Sequence, residues 1–224
     1  MPTVPLRTAV LAALPTVPQR VLFASAVALS ALVLVMPFPG SLSVVATRWL
    51  VAVSAGVPGV GLLSEVALVA LAAGVAAAIV LGWRRQPANR VRVVALVVSV
   101  GIAYAASESI KLLVTELRPC QRWPLAEECA PLGDWSFPSN HATLAFAAAA
   151  VIAVLSRRFA VMAAAFGCAV LVAFDRVAQG AHYLHDVAAG AVLGLGMVVV
   201  ALVCAALVLR WRPSARQRER DAST

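Results

Sequence analysis

Phe137-Pro138-Ser139-Asn140-His141 opens without a break onto Ala142 to Leu155, a run whose one polar side chain is Thr143. Pro138 fixes the approach, Ser139 is placed to cap, and His141 falls in the first turn of the helix that follows. A helix start alone would account for all three. What gives the corner weight is its position at the mouth of a segment apolar enough to enter a membrane.

The rest of the chain has the same character. Of its 224 residues 62% are hydrophobic and 12% charged, and the mean hydropathy is +0.92. A soluble domain carries about 25% charged residues. This composition excludes a soluble globular fold and predicts an all-α polytopic membrane protein. The net charge of +8 would suggest nucleic acid in a soluble protein. Here the arginines lie at the ends of apolar segments and read as topology signals.

Residues 1–20 form a short, Pro-containing cytoplasmic lead without the cleavage pattern of a signal peptide. Residues 21–209 hold six expected spans. They are Val21 to Met36, Gly59 to Trp83, Val93 to Val114, Asn140 to Leu155, Phe159 to Phe174 and His185 to Leu209. Pro37 to Pro58 is interrupted by three prolines and reads as interfacial pieces lying on the membrane. Residues 210–224 form a basic cytoplasmic tail. All five Trp fall at or near proposed span ends, as an aromatic belt requires.

With both termini inside, 13 of the 18 basic residues lie on the cytoplasmic side. The other five are Arg48, Lys111, Arg118, Arg122 and Arg176. Lys111, the sole lysine of the chain, stands near the end of an apolar segment. This topology brings the 137–141 corner, the polar end of the third span and the 175–186 loop to one outer side. All three histidines, His141, His182 and His185, gather there. Clustered ionisable groups at membrane level are expensive and point to function.

Spacing sharpens the cluster. Lys111 and Arg118 are seven apart and share a face if the helix continues, a pair suited to phosphate. His182 and Asp186 are four apart, which on a helix start puts a carboxylate beside an imidazole and leaves the other ring nitrogen as nucleophile or base. A Ser139 cap would expose the amides of Asn140 and His141 to an anion. Each feature has a plainer explanation: cations snorkelling to the interface, a helix cap, a belt histidine, an Arg176–Asp175 neighbour pair. All of these would have to hold at once on a single side.

Lys111, six residues, then Arg118-Pro119; Pro138-Ser139-x-His141; and Arg176, five residues, His182, three residues, Asp186 resemble the three-part signature of the type 2 phosphatidic acid phosphatase superfamily, which includes vanadium haloperoxidases. The resemblance covers roughly Ser107 to Gly190, and the six-span layout is similar to that of the family's bacterial lipid phosphatases. It implies a metal-independent phosphatase, without cofactor, in the bacterial cell membrane. His182 would be the nucleophile and Asp186 would hold its ring. Lys111, Arg118 and Arg176 would bind the phosphoryl oxygens, with Ser139 and the Asn140 amide completing the cradle. His141 would be general acid, then base.

Two residues depart from the signature. Asn140 stands where Gly is usual, and Gly permits backbone angles Asn tolerates less readily. Asp175 replaces a Ser, and brings a negative charge toward an anion site, where it would weaken phosphate binding or orient Arg176. His185 is surplus to the pattern and is read as a secondary, substrate-side residue. Cys120 and Cys129 share the outer loop, where a disulfide over the site entrance is possible.

The implied substrate keeps its tail in the bilayer: a polyprenyl diphosphate or polyprenyl-linked phosphate, phosphatidylglycerol phosphate, or phosphatidic acid. A lipid phosphotransferase and a non-catalytic phospholipid-binding or transport protein are the alternatives. No nucleic-acid partner is expected.

Overall fold

The structure, a computed structural model, describes residues 40–85, 90–123 and 129–210. Regular structure among them is entirely helical: α1 Leu42–Ser54, α2 Leu62–Arg85, α3 Arg90–Leu113, α4 Pro119–Arg122, α5 Asn140–Ser156, α6 Phe159–Ala178 and α7 Leu184–Arg210. The lead at 1–20, the first expected span, the basic tail beyond Arg210, and Glu127 and Glu128 lie outside the described residues.

Four of these helices are long and apolar enough to cross a membrane: α2 over Leu62–Arg84, and α3, α6 and α7. At 1.5 Å per residue the 24-residue α3 reaches about 36 Å, beyond the roughly 30 Å of a bilayer's hydrocarbon. Of the five expected spans within the described residues, these four are long enough to cross. The segment at 140–155 is a 17-residue helix below that length. The Pro37 to Pro58 stretch holds the 13-residue α1, capped by Ser41.

Helix α5 is the centre of the bundle and touches α2, α3, α6 and α7. Its alanines explain why. Ala142, Ala145, Ala147 and Ala149 are fully buried, and side chains this small let neighbouring backbones close in where lipid offers no hydrophobic drive to association. Helix α7 answers with Gly190 and Gly194. A Cβ on Gly194 would lie 2.3 Å from the Thr143 carbonyl oxygen, and one on Gly190 would lie 2.5 Å from that of Ser139. Many large apolar side chains face outward, among them Val66 and Val69 on α2, Ile102 on α3, Val170 and Phe174 on α6, and Val200 on α7. A bundle buried in small residues and rimmed with large ones is built for lipid.

The five long helices alternate in direction. The N-termini of α2, α5 and α7 and the C-termini of α3 and α6 therefore meet at one end of the bundle, with α1 and α4 beside them. Arg84, Arg90, Arg92, Arg157, Arg158 and Arg210 lie at the other end.

Candidate active site

The polar end assembles around His182, which is 1% exposed in the short turn between α6 and α7. Its Nδ1 lies 2.8 Å from the Ser136 carbonyl oxygen and its Nε2 lies 3.3 Å from Arg118 Nη1. A carbonyl only accepts and a guanidinium only donates, so the two contacts assign the tautomer: Nδ1 carries the proton and Nε2 presents a lone pair. Burial, followed by the positive charges of Arg118, Arg176 and Lys111, holds the imidazole well below its ordinary value of 6.5. The ring is neutral at pH 7, as a nitrogen nucleophile must be.

Asp186 reaches the ring by a different route from the expected direct bond. Its Oδ2 stands 3.7 Å from His182 Nδ1, too far for a hydrogen bond. That oxygen instead accepts the Ser136 hydroxyl and, at 2.7 Å, the Tyr183 amide. The amide contact is the backbone half of a capping box at the start of α7. Ser136 is thus the intermediary, its hydroxyl on Asp186 and its carbonyl on His182. A lone serine in a loop carries no spacing signal.

Lys111 and Arg118 are both buried and converge, but not on one continuing helix as their interval required: α3 ends at Leu113 and Arg118 precedes α4 in an extended conformation. One carboxylate oxygen of Asp134 lies 2.7 Å from Arg118 Nη2 and 3.9 Å from Lys111 Nζ. The two cations therefore address a single anion-sized point. Burial raises the Asp134 carboxyl, but the Arg118 hydrogen bond and charge outweigh it and hold the group below its ordinary value. Arg118 is further fixed by the carbonyls of Asp134 and Ala181, at 2.9 and 3.0 Å. Among the described residues Arg176 Nη1 donates to Gln179, and its buried Nε has no hydrogen-bond partner.

Ser139 caps α5 through the Ala142 amide, leaving the first-turn amides of Asn140 and His141 without intrahelical acceptors. Its own amide bonds the Asp186 carbonyl at 3.1 Å, which ties the cap to α7. His141 directs Nε2 at Glu65 Oε1, 3.1 Å away in the first turns of α2. That a carboxylate sat inside an apolar span was the sequence signal for Glu65.

Three expectations change. Asn140 needs no unusual backbone, because it is the first residue of α5 and lies in the helix; its side chain accepts from Ser107 Oγ at 2.6 Å and donates to Glu108, clamping α5 to α3. Asp175 turns away from the anion site. Its carboxylate accepts the Gly61 and Ser64 amides and caps α2, Ser64 at 2.8 Å. His185 is 2% exposed and packed behind Asp186 rather than on a substrate face. Its Nε2 lies 3.0 Å from Glu116 and 3.2 Å from Asp186. Glu116, His185 and Asp186 place ligand-type atoms within 4.8 Å of one another, close enough to hold a metal ion. Cys120 and Cys129 form a disulfide over the Arg118 loop.

Lys111, Arg118, Ser139, Asn140, His141, Arg176, His182 and Asp186 all lie within residues 92–215, which match the family model described as the PAP2 superfamily. The chain belongs to the PAP2 superfamily. That match and the apolar helices support a membrane phosphatase of the PAP2 type. Glu65 lies outside the matched residues, so its contact with His141 comes from an element N-terminal to them. No curated protein and no solved structure matches the chain.

Proposed function

We propose that the protein hydrolyses a lipid phosphomonoester or diphosphate through a phosphohistidine, at a site on the extracytoplasmic side of the membrane. The observation that carries the reading is His182: a buried neutral ring whose Nε2 lone pair faces two cations already converging on one anion position.

In the first step Nε2 attacks phosphorus, forming the P–N bond as the P–O bond to the lipid breaks. Lys111, Arg118, Arg176 and the first-turn amides of α5 offset the charge on the phosphoryl oxygens. His141 gives its proton to the departing lipid oxygen. In the second step His141 takes a proton from water, the water oxygen attacks phosphorus, and the P–N bond breaks to release inorganic phosphate. His182 returns to its starting form.

The lipid class follows from placement. A headgroup phosphate at the end of a bundle rimmed by apolar side chains keeps its tail in the bilayer. Arginines at the opposite end favour a cytoplasmic location there, and so an outward-facing site. Polyprenyl diphosphate, a polyprenyl-linked phosphate, phosphatidylglycerol phosphate and phosphatidic acid are the candidates, the polyprenyl group first for an outward site. The test is phosphate release from this panel in detergent. The wild type is expected to release phosphate from at least one lipid and His182→Ala from none; equal release by both would sink the mechanism.

A further inference from the structure

The groups behind His182 form a layer that the reaction as written leaves unused. Glu116 and Asp186 bring two carboxylates close together in a buried setting. Like charges so placed need a donor between them. His185 Nε2 stands between them: it donates to Glu116 Oε2 at 3.0 Å and lies 3.2 Å from Asp186 Oδ1, a buried oxygen that has no hydrogen-bond partner among the described residues. Carboxylates only accept, so this nitrogen carries a proton.

The ring itself is held on every side. Its Nδ1 meets Ser43 Oγ on α1 at 2.8 Å. Its faces lie against Tyr183, stacked at 5.1 Å between centroids, and Phe137 at 6.1 Å. Inward, Asp186 takes the Ser136 hydroxyl, the Ser136 amide bonds the Glu116 carbonyl at 2.8 Å, and the Ser136 carbonyl takes the His182 Nδ1 proton. Glu116 thus anchors both ends of one chain of polar contacts, His185 through its side chain and Ser136 through its backbone.

We infer that His185 is a positioning residue for the nucleophile: by bridging Glu116 and Asp186 it holds the carboxylate that fixes Ser136, and so keeps His182 with Nδ1 protonated and Nε2 free. This rests on the reading of His182 as the nucleophile, so the test has a readout that does not depend on turnover.

Full-length protein labelled with 15N-histidine in detergent reports the tautomer directly, with His182→Ala assigning the His182 signals. His185→Phe keeps an aromatic ring between Tyr183 and Phe137 but offers no donor. It is expected to replace the single Nδ1-protonated form of His182 by a mixture of tautomers. It is also expected to lower kcat about tenfold or more while KM changes less than about twofold. His185→Gln, whose amide can donate to the same carboxylates, is expected to restore much of both. If His185→Phe fails to fold, Glu116→Gln, which removes one carboxylate but keeps its shape, is expected to shift the tautomer in the same direction.

An unchanged His182 tautomer in the folded variants would overturn the inference. So would a stoichiometric zinc ion bound by the wild type and lost in His185→Phe, which would make the cluster a metal site. A wild type that releases no phosphate, with the tautomer response intact, would remove the catalytic reading and leave the positioning role standing.

Discussion

Asp134 is the residue whose chemistry bears most directly on substrate affinity. Its carboxylate occupies the point at which Lys111 and Arg118 converge, so on the proposed phosphatase reading a phosphoryl group displaces it or shares the cations with it. Asp134→Asn removes the competing charge. Inorganic phosphate is expected to inhibit that variant several-fold more strongly than the wild type, on the scale of one charge-assisted hydrogen bond; unchanged inhibition would show that the carboxylate does not compete. The His182 ring makes a separate prediction through pH. Its folded value lies below 6.5 while the unfolded chain titrates near 6.5, so the unfolded state binds more protons in that interval. Stability therefore falls as pH drops below about 6.5, until the buried ring itself protonates. The acid limb of kcat/KM is expected well below 6.5, and Arg118→Gln, which removes one of the depressing charges, is expected to move it upward. A wild-type limb at 6.5 or above would contradict the burial argument.

Among the elements, the α5–α7 contact carries the architecture. Gly194 meets backbone atoms of α5, which cannot rotate away as a side chain would. Gly194→Ala is expected to destabilise by about 1–3 kcal/mol, the usual cost of overpacking, read as a lower melting temperature in detergent. Gly196→Ala is the control, since a Cβ there meets nothing within 4 Å. Three further joints between elements are polar. Asp175 on α6 caps α2, Asn140 clamps α5 to α3, and Ser43 reaches from α1 to α7. None of the three could be read along the chain, because each partner is more than 30 residues away and belongs to another helix. Asp175, expected to weaken phosphate binding or to orient Arg176, has its rotation on α6 set by the N-terminus of α2, and it holds Gln179, whose side-chain oxygen takes Arg176.

For the whole molecule, sidedness is the property to test. The described arginines at 84, 90, 92, 157, 158 and 210 lie opposite the site, and Leu132, 85% exposed, lies in the loop over it. Leu132→Cys with Cys168→Ser and Cys204→Ser is expected to react with a membrane-impermeant thiol reagent added outside intact cells. Arg158→Cys in the same background, at the exposed basic turn, is expected to react after permeabilisation. The reverse pattern would invert the orientation.

The sequence by itself determined that the chain is a helical membrane protein and which ionisable residues gather at one end of it, because a charge in an apolar segment is costly. Lys111, Arg118, His141, Arg176, His182 and Asp186 were legible for that reason and through their intervals. Only the tertiary structure decided what holds them. Ser136 stands between His182 and Asp186, Glu65 meets His141, and His185 sits behind the dyad rather than before the substrate. Hydrogen bonds are short and directional, so which donor meets which acceptor depends on how helices distant in sequence are rotated and packed, and that is set by the glycines and alanines of the α5–α7 contact rather than by any motif.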